Sequence, residues 1–314
     1  MRYSTVSGVE KPVSRLVLGS TMLDPGRPAH SFGLLDRYRE AGGNCVDTAA
    51  IYGYGAGERA VGDWLARRGN RDAIVLIGKG ACTTACTPDL VTSELRESLE
   101  RLRTDRVDVY FMHRDNPSLP AGEFVERLNE HLRAGQVRAF GGSNWSPERI
   151  AEANEYAAAR GLVGFAASSP NFSLGRWNEP TWPGCHTAVD PAVRRWYERS
   201  GLAVFAWSSQ AGGFFTGRYG PADRDDRRAA DVVRVWFNDG NFHRLARVRE
   251  LAAEKGATPA QIALAYVACQ PANMFPIIGP LTAGELAECL AADVALTADE
   301  LRYLNLETGE PATP

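Results

Sequence analysis

Apolar residues in this chain fall in short runs, separated by longer stretches in which they recur every three or four positions. The short runs read as strands at residues 16–18, 44–46, 74–77, 107–112, 137–140, 164–167, 203–207 and 275–278. Between them, Val61, Trp64 and Leu65 mark one helical face, and Val91, Leu95, Leu99 and Leu102 mark another. Ser146-Pro147-Glu148 and Thr258-Pro259 have the form of an N-cap followed by a first-turn proline, opening helices that carry Ile150 and Ile262.

Strands alternating with helices predict parallel βα units, and eight such units close naturally as a (β/α)8 barrel. A doubly wound open sheet would want a glycine-rich phosphate turn after its first strand, and Leu18-Gly19-Ser20-Thr21 is not one. A short N-terminal hairpin is expected around Glu10-Lys11-Pro12, and a long, mobile loop over the barrel mouth at residues 212–241, after the seventh strand. No linker, repeat or low-complexity run breaks the chain, so residues 1–314 are expected to form a single domain.

Composition narrows the function classes. With 314 residues, 44% hydrophobic and 23% charged, the chain has material for a large core and none of the bias of a disordered protein. A net charge of -3 offers no general attraction to nucleic acid or anionic lipid. Met1-Arg2-Tyr3-Ser4-Thr5-Val6 lacks a signal-peptide core, and no run approaches the roughly 18 apolar residues of a membrane helix, so a soluble, cytoplasmic protein is expected. Cysteines 45, 82, 86, 185, 269 and 289 are scattered and read as reduced thiols. Cys82 and Cys86 are close, but without a second pair or a nearby His they are not read as a metal site. No feature points to a particular oligomer.

Arginine supplies nearly all the positive charge, the only lysines being Lys11, Lys79 and Lys255. Lys11 reads as part of a polar turn, and Lys255, before Gly256, as a cation at a helix end. Lys79 instead ends the apolar run Ile74-Val75-Leu76-Ile77-Gly78, where burial favours the neutral amine unless a carboxylate compensates. In a barrel, Asp47, Tyr52, Lys79 and His113 all follow strands at the C-terminal face and converge on one mouth. Asp47 can hold Lys79 charged, Lys79 can draw the Tyr52 phenol from about 10 toward working pH, and His113 can orient a carbonyl oxygen.

Asp47-Thr48-Ala49-Ala50-Ile51-Tyr52-Gly53 with Gly57-Glu58, Gly78-Lys79, Val107 through His113, Gly142-Ser143-Asn144 and Ala260-Gln261-Ile262-Ala263-Leu264 resemble, in this order, the aldo-keto reductase family. The resemblance covers essentially the whole chain. It implies a catalytic tetrad at Asp47, Tyr52, Lys79 and His113, and NAD(P)H-dependent reduction of an aldehyde or ketone, or the reverse alcohol oxidation. By the same resemblance, Ser143, Asn144 and Ser168 hold the nicotinamide carboxamide, Trp207 stacks on the ring, and Ser208, Ser209 and Gln210 face the pyrophosphate. Gly19, Ser20, Thr21, Asp47 and Gly279 are further cofactor contacts, and Gly53-Tyr54-Gly55-Ala56-Gly57 is a loop and not a phosphate cradle. The family default is NADP, but Leu281 and Glu285 stand where NADP-using relatives place cations, which leans toward NAD.

Aromatic residues crowd the loops expected at the mouth: Trp145, Trp177, Trp182, Phe214, Phe215, Trp236 and Phe237. Interleaved with Arg176, Asn178, His186 and Asn238, they suit a small carbonyl or polyol such as a sugar or cyclitol; alternatively they pack on one another. Two other functions compete. A Schiff-base aldolase would use Lys79 as nucleophile, and a cofactor-binding regulatory or sensor subunit would share the fold with negligible turnover.

Overall fold

The computed structural model describes residues 1–309, so the last residues of the expected 1–314 unit lie outside the described residues. An antiparallel hairpin, β1 (Tyr3–Val6) and β2 (Val9–Ser14), precedes eight strands: β3 (Val17–Gly19), β4 (Cys45–Asp47), β5 (Val75–Gly80), β6 (Val107–Met112), β7 (Val137–Ser143), β8 (Ala167–Ser169), β9 (Ala203–Ala206) and β10 (Asn273–Ile278). These eight form a closed parallel barrel in chain order, sealed where β10 meets β3. Around it run α1 (Pro28–Glu40), α2 (Ala56–Arg68), α3 (Pro88–Leu102), α4 (Ala121–Arg133), α5 (Pro147–Ala159), α6 (Pro191–Ser200), α7 (Ala230–Trp236), α8 (Asp239–Lys255), α9 (Pro259–Ala268), α10 (Ala283–Leu290) and α11 (Ala298–Leu304).

Local chemistry starts these helices where expected. Ser146 accepts from the Arg149 amide, and Thr258 forms a capping box with Gln261. Lys255 ends α8 before a left-handed Gly256 and pairs with Glu300 at 2.7 Å.

Side-chain alternation divides the core. Ile77, Phe111, Ala139, Ala167 and Phe205 share a cluster inside the barrel, whereas their neighbours Leu76, Tyr110, Met112 and Phe140 pack beneath the helices. Val6, Val9 and Val13 of the hairpin join the inner cluster and close its floor.

Three local expectations change. The hairpin turns at Ser7 and Gly8, so Glu10, Lys11 and Pro12 lie within β2. Gly8 has φ +83°, and a Cβ there would sit 2.8 Å from the Arg138 carbonyl oxygen, so glycine sets the turn. Lys11 is therefore not a turn residue: its Nζ meets Asp108 at 2.8 Å and the Ile74 carbonyl at 2.6 Å. The sixth barrel strand begins at Ala167, because Asn129 and Asn154 hold Val163 and Phe165 by their backbone amides outside the ladder. The long connection after β9 is wound into short 3-10 turns, α7 and the start of α8, with Phe214, Phe215, Trp236 and Phe237 buried.

Candidate active site

The alternation that fills the barrel also builds its mouth. One further inward position beyond Cys45, Ile77, Phe111, Ala167 and Phe205 lie Asp47, Lys79, His113, Ser169 and Trp207. Tyr52 comes from the loop after β4, which is pinned beside β5 by Thr48 and Ala50 amides bonding to the Ile77 and Lys79 carbonyls. Gly53 and Gly55 continue that loop in the left-handed region and deliver the chain into α2.

Asp47, Tyr52, Lys79 and His113 are brought together. Lys79 and Asp47 form an ion pair with side chains only 1% and 2% exposed. Lys79 Nζ also donates to the Tyr52 hydroxyl at 3.2 Å, and that hydroxyl donates to Asp47 at 3.5 Å. The Tyr52 and His113 rings meet edge to face with centroids 6.1 Å apart. Tyr54, two residues further along the loop, is 92% exposed.

Burial and charge oppose each other here. Burial disfavours the Lys79 ammonium, but Asp47 and the Tyr52 hydroxyl outweigh it and hold Lys79 above the usual lysine range. Burial pushes the Asp47 carboxyl up while Lys79 pulls it back. Burial also raises Tyr52, with Lys79 opposing and Asp47 reinforcing. The expected pull of this phenol toward neutral pH is thus reversed in direction, because burial, reinforced by the Asp47 carboxylate, outweighs the pull of Lys79. Burial, then Lys79 and Arg114, hold His113 well below the usual histidine range, so its ring is neutral at pH 7.

The residues expected at the cofactor divide. Ser143 donates to the Ser169 carbonyl at 2.9 Å, and Asn144, at φ +60°, donates to the His113 carbonyl and accepts from the His186 amide. Ser168 lies on the outward face of β8, where its hydroxyl meets Tyr197 of α6 at 2.8 Å. Ser169 takes the inward position, buried and with an unpartnered Oγ. Strict alternation from Ala167 was the signal that would have found it.

Gly19 ends β3 beside Asp47, Ser20 is buried with an unpartnered Oγ, and Thr21 is exposed. Ser208 has φ +49°. Ser209 donates to the Ile277 carbonyl, and Gln210 to that of Ala260, so both side chains tie the β9 exit to its neighbours. Gly279 is exposed at the exit of β10, with space around a notional Cβ. Leu281 is 43% exposed, and Glu285 accepts from the Leu281 amide at 2.7 Å and pairs with Arg218 at 3.2 Å.

Of the aromatic wall, only part lines the mouth. Trp177 and Trp182 each lie 5.9 Å from Trp207, centroid to centroid. Trp145 is buried against Phe124 and Phe165, and Phe214, Phe237 and Phe242 pack on one another. Asn178 and Asn238 are engaged with each other and with nearby carbonyls, and Arg176 turns to Asn305. A cavity of about 480 Å³ opens elsewhere, between α6 and α11, and none of the four mouth residues lines it. All six cysteines are free. Among the described residues no group of His, Cys, Asp and Glu is arranged to hold a metal, and no helix is long and apolar enough to cross a membrane.

The model of the aldo/keto reductase family matches residues 15–305. Norsolorinic acid reductase stcV of Emericella nidulans is 31% identical over 288 residues, covering 86% of this chain and 70% of that protein. The uncharacterized oxidoreductase YrpG of Bacillus subtilis is 30% identical over 327 residues, covering 97% and 95%. In fold, the chain is similar to an aldo-keto reductase from Klebsiella pneumoniae crystallised in complex with NADPH, with a TM-score of 0.76 and 23% identity over 100% of this chain and 98% of that one.

Proposed function

The chain belongs to the aldo/keto reductase family, and we propose that it works as one domain in which Tyr52 gives its proton to an aldehyde or ketone, or takes one back from the alcohol. One observation carries this reading: a lysine buried between a carboxylate and a phenol, with the phenol toward the mouth. Asp47 keeps Lys79 charged, and Lys79 stabilises the phenolate left when the proton departs. The raised phenol stays protonated through neutral pH. A neutral His113 can donate one ring N–H to the carbonyl oxygen and so fix which oxygen Tyr52 meets. These roles also count against an aldolase, because a charged Lys79 is no nucleophile.

A nicotinamide nucleotide supplies the hydride when bound. The mouth fits such a group: Ser169 Oγ and Trp207 Nε1 are buried without partners, and Gly279 leaves open space at the β10 exit. Ser143, Asn144 and Ser169 would hold the carboxamide, Trp207 would take the ring face, and Ser208 and Gly279 would border the phosphates. At the adenosine end, the Glu285 carboxylate supports use of NADH beside the NADPH bound by the Klebsiella protein. Arg218 partly neutralises that carboxylate, so exclusion of a 2'-phosphate would be incomplete.

For the substrate, the Trp177, Trp182 and Trp207 group favours a flat, largely apolar carbonyl compound over a sugar or cyclitol, since most neighbouring polar side chains are already engaged. The decisive experiment compares wild type with Tyr52→Phe, using an aromatic aldehyde and either nucleotide. Turnover should fall by about 10²–10⁴-fold while nucleotide affinity, read by fluorescence, stays unchanged. A variant retaining more than about a tenth of the activity would move the acid elsewhere. A wild type that binds nucleotide yet reduces no carbonyl would favour the sensor role.

A further inference from the structure

Outside the catalytic group, three arginines converge between α8 and the end of α11. Asn241 and Arg244 lie three residues apart on α8, as do Arg244 and Arg247, so they follow one another along its surface. Asn241 fastens the Arg176 backbone to this stretch, accepting from its amide at 2.9 Å and donating to its carbonyl at 2.8 Å. Arg176 Nη2 donates to Asn305 Oδ1 at 3.1 Å, an oxygen that also accepts from the Tyr266 hydroxyl. Arg247 lies over the Tyr303 ring and donates to the Tyr303 and Thr308 carbonyls.

What these arginines lack, among the described residues, is a counter-charge. The nearby acids are otherwise engaged: Glu307 with Arg194, Glu300 with Lys255, Asp299 with Arg302, and Glu250 with the Tyr303 hydroxyl. No carboxylate among the described residues pairs with Arg176, Arg244 or Arg247. Arg176 Nη1 and Arg244 Nε are moreover buried without an acceptor. Burial, followed by repulsion from Arg176, lowers Arg244 to about 10, with Tyr266 opposing and Arg247 adding to the repulsion. Buried guanidinium N–H groups without acceptors are costly, and an oxyanion with several acceptor atoms meets that need.

We infer that Arg176 and Arg244, flanked by Arg247, form a binding site for a small oxyanion, a phosphate or carboxylate group. It involves none of the residues assigned above to catalysis or to the nicotinamide nucleotide, and it does not depend on those assignments. The oxyanion comes free from solution.

The test is thermal unfolding of the full chain, saturated with nucleotide so that the nucleotide's own phosphate contacts are filled. Inorganic phosphate at tens of millimolar is compared with chloride at matched ionic strength. Phosphate should raise Tm by roughly 1–3 °C in wild type, not at all in Arg244→Gln and less in Arg244→Lys, with carbonyl reduction unchanged in both variants. Without phosphate, Arg244→Gln should be at least as stable as wild type, because a repulsion is removed; if it fails to fold, Arg176→Gln gives the same readout. No response in wild type, or a full response in Arg244→Gln, overturns it.

Discussion

Two lysine–aspartate pairs stand at opposite ends of the same barrel, one buried and one whose lysine is partly exposed. At the mouth, Lys79 and Asp47 are almost wholly enclosed, and Lys79 still reaches a phenol that faces the opening. At the floor, Asp108 is met by Lys11 at 2.8 Å, by Arg71 at 2.9 Å and by the Leu76 amide at 2.9 Å. The floor carboxylate is saturated by groups that all belong to the framework, whereas the mouth pair passes its charge on to a side chain able to meet a ligand. The same ion pair therefore holds strands together at one end and sets a proton donor at the other, and the difference lies in what the lysine does with its remaining donors. This matches the division of a βα barrel between a catalytic C-terminal face and a stabilising N-terminal face.

The sharpest way to break the comparison is to remove each lysine in turn. Lys79→Met should lower carbonyl turnover by about 10²–10⁴-fold, and Asp47, left alone in the interior, should cost the fold roughly 3–5 kcal/mol unless it takes up a proton. Lys79→Arg should be equally inactive, since a planar guanidinium cannot replace a compact ammonium beside the phenol. Lys11→Met should leave turnover unchanged and lower stability by about 1.5–3 kcal/mol, as for one charge-assisted hydrogen bond. Urea denaturation with steady-state kinetics on both variants checks this, and an inactive Lys11→Met would erase the distinction between the two ends.

The pH profile sharpens it further. Burial raises Tyr52 and lowers His113, so a protonated phenol and a neutral imidazole both persist through neutrality. The reduction rate should be level across neutral pH, with no break near the ordinary histidine value of about 6.5, and should fall only above about 10 as the phenol ionises. A clear inflection between pH 6 and 7 would contradict these shifts.

The two ends were not equally legible in the sequence. Lys79 stood out because an apolar strand ends on it, and strand order alone carried Asp47 and His113 to the same face. Lys11 looked like a turn residue because its partners, Asp108 and Ile74, are distant in sequence, and only a hairpin turning at Gly8 brings it to them. The resemblance points to Ser168 and the sequence reads the strand as ending at 167, whereas the strand runs Ala167–Ser169 and its inward serine is Ser169; the reason for that shift, Asn129 and Asn154 holding residues 163 and 165, is tertiary. The aromatic residues after β9 suggested a mobile lid, although composition gives no way to tell a lid from a set of rings packed on one another.

Smaller effects refine the picture at the mouth. Replacing Leu281 with Arg and Glu285 with Gln should shift preference toward NADPH by roughly tenfold, the value of a charge-assisted bond to phosphate. Parallel titrations with both nucleotides measure it, and a wild type already favouring NADPH a hundredfold would remove the role given to Glu285. Smallest of all, Ser169→Ala should weaken nucleotide binding by about 1 kcal/mol without destabilising the barrel, while Ser168→Ala should cost about 1 kcal/mol of stability and leave binding intact. The opposite pattern would return Ser168 to the site.

The seam between β3 and β10 has a consequence for the order in which the ring assembles and breathes. Val17 pairs with Ile277 and Leu18 with Ile278, so this short ladder joins the two ends of the chain. Closing so long a loop is entropically costly, and few pairs repay it, which makes this the last ladder to form and the first to open. The hairpin acts there as a latch: Ser4, Thr5 and Arg15 all bond to the Asn273 side chain at the start of β10. Backbone amides along β3 and β10 should therefore exchange with solvent sooner than those of β6 and β7, and the first few residues of the chain govern how long the completed ring stays closed.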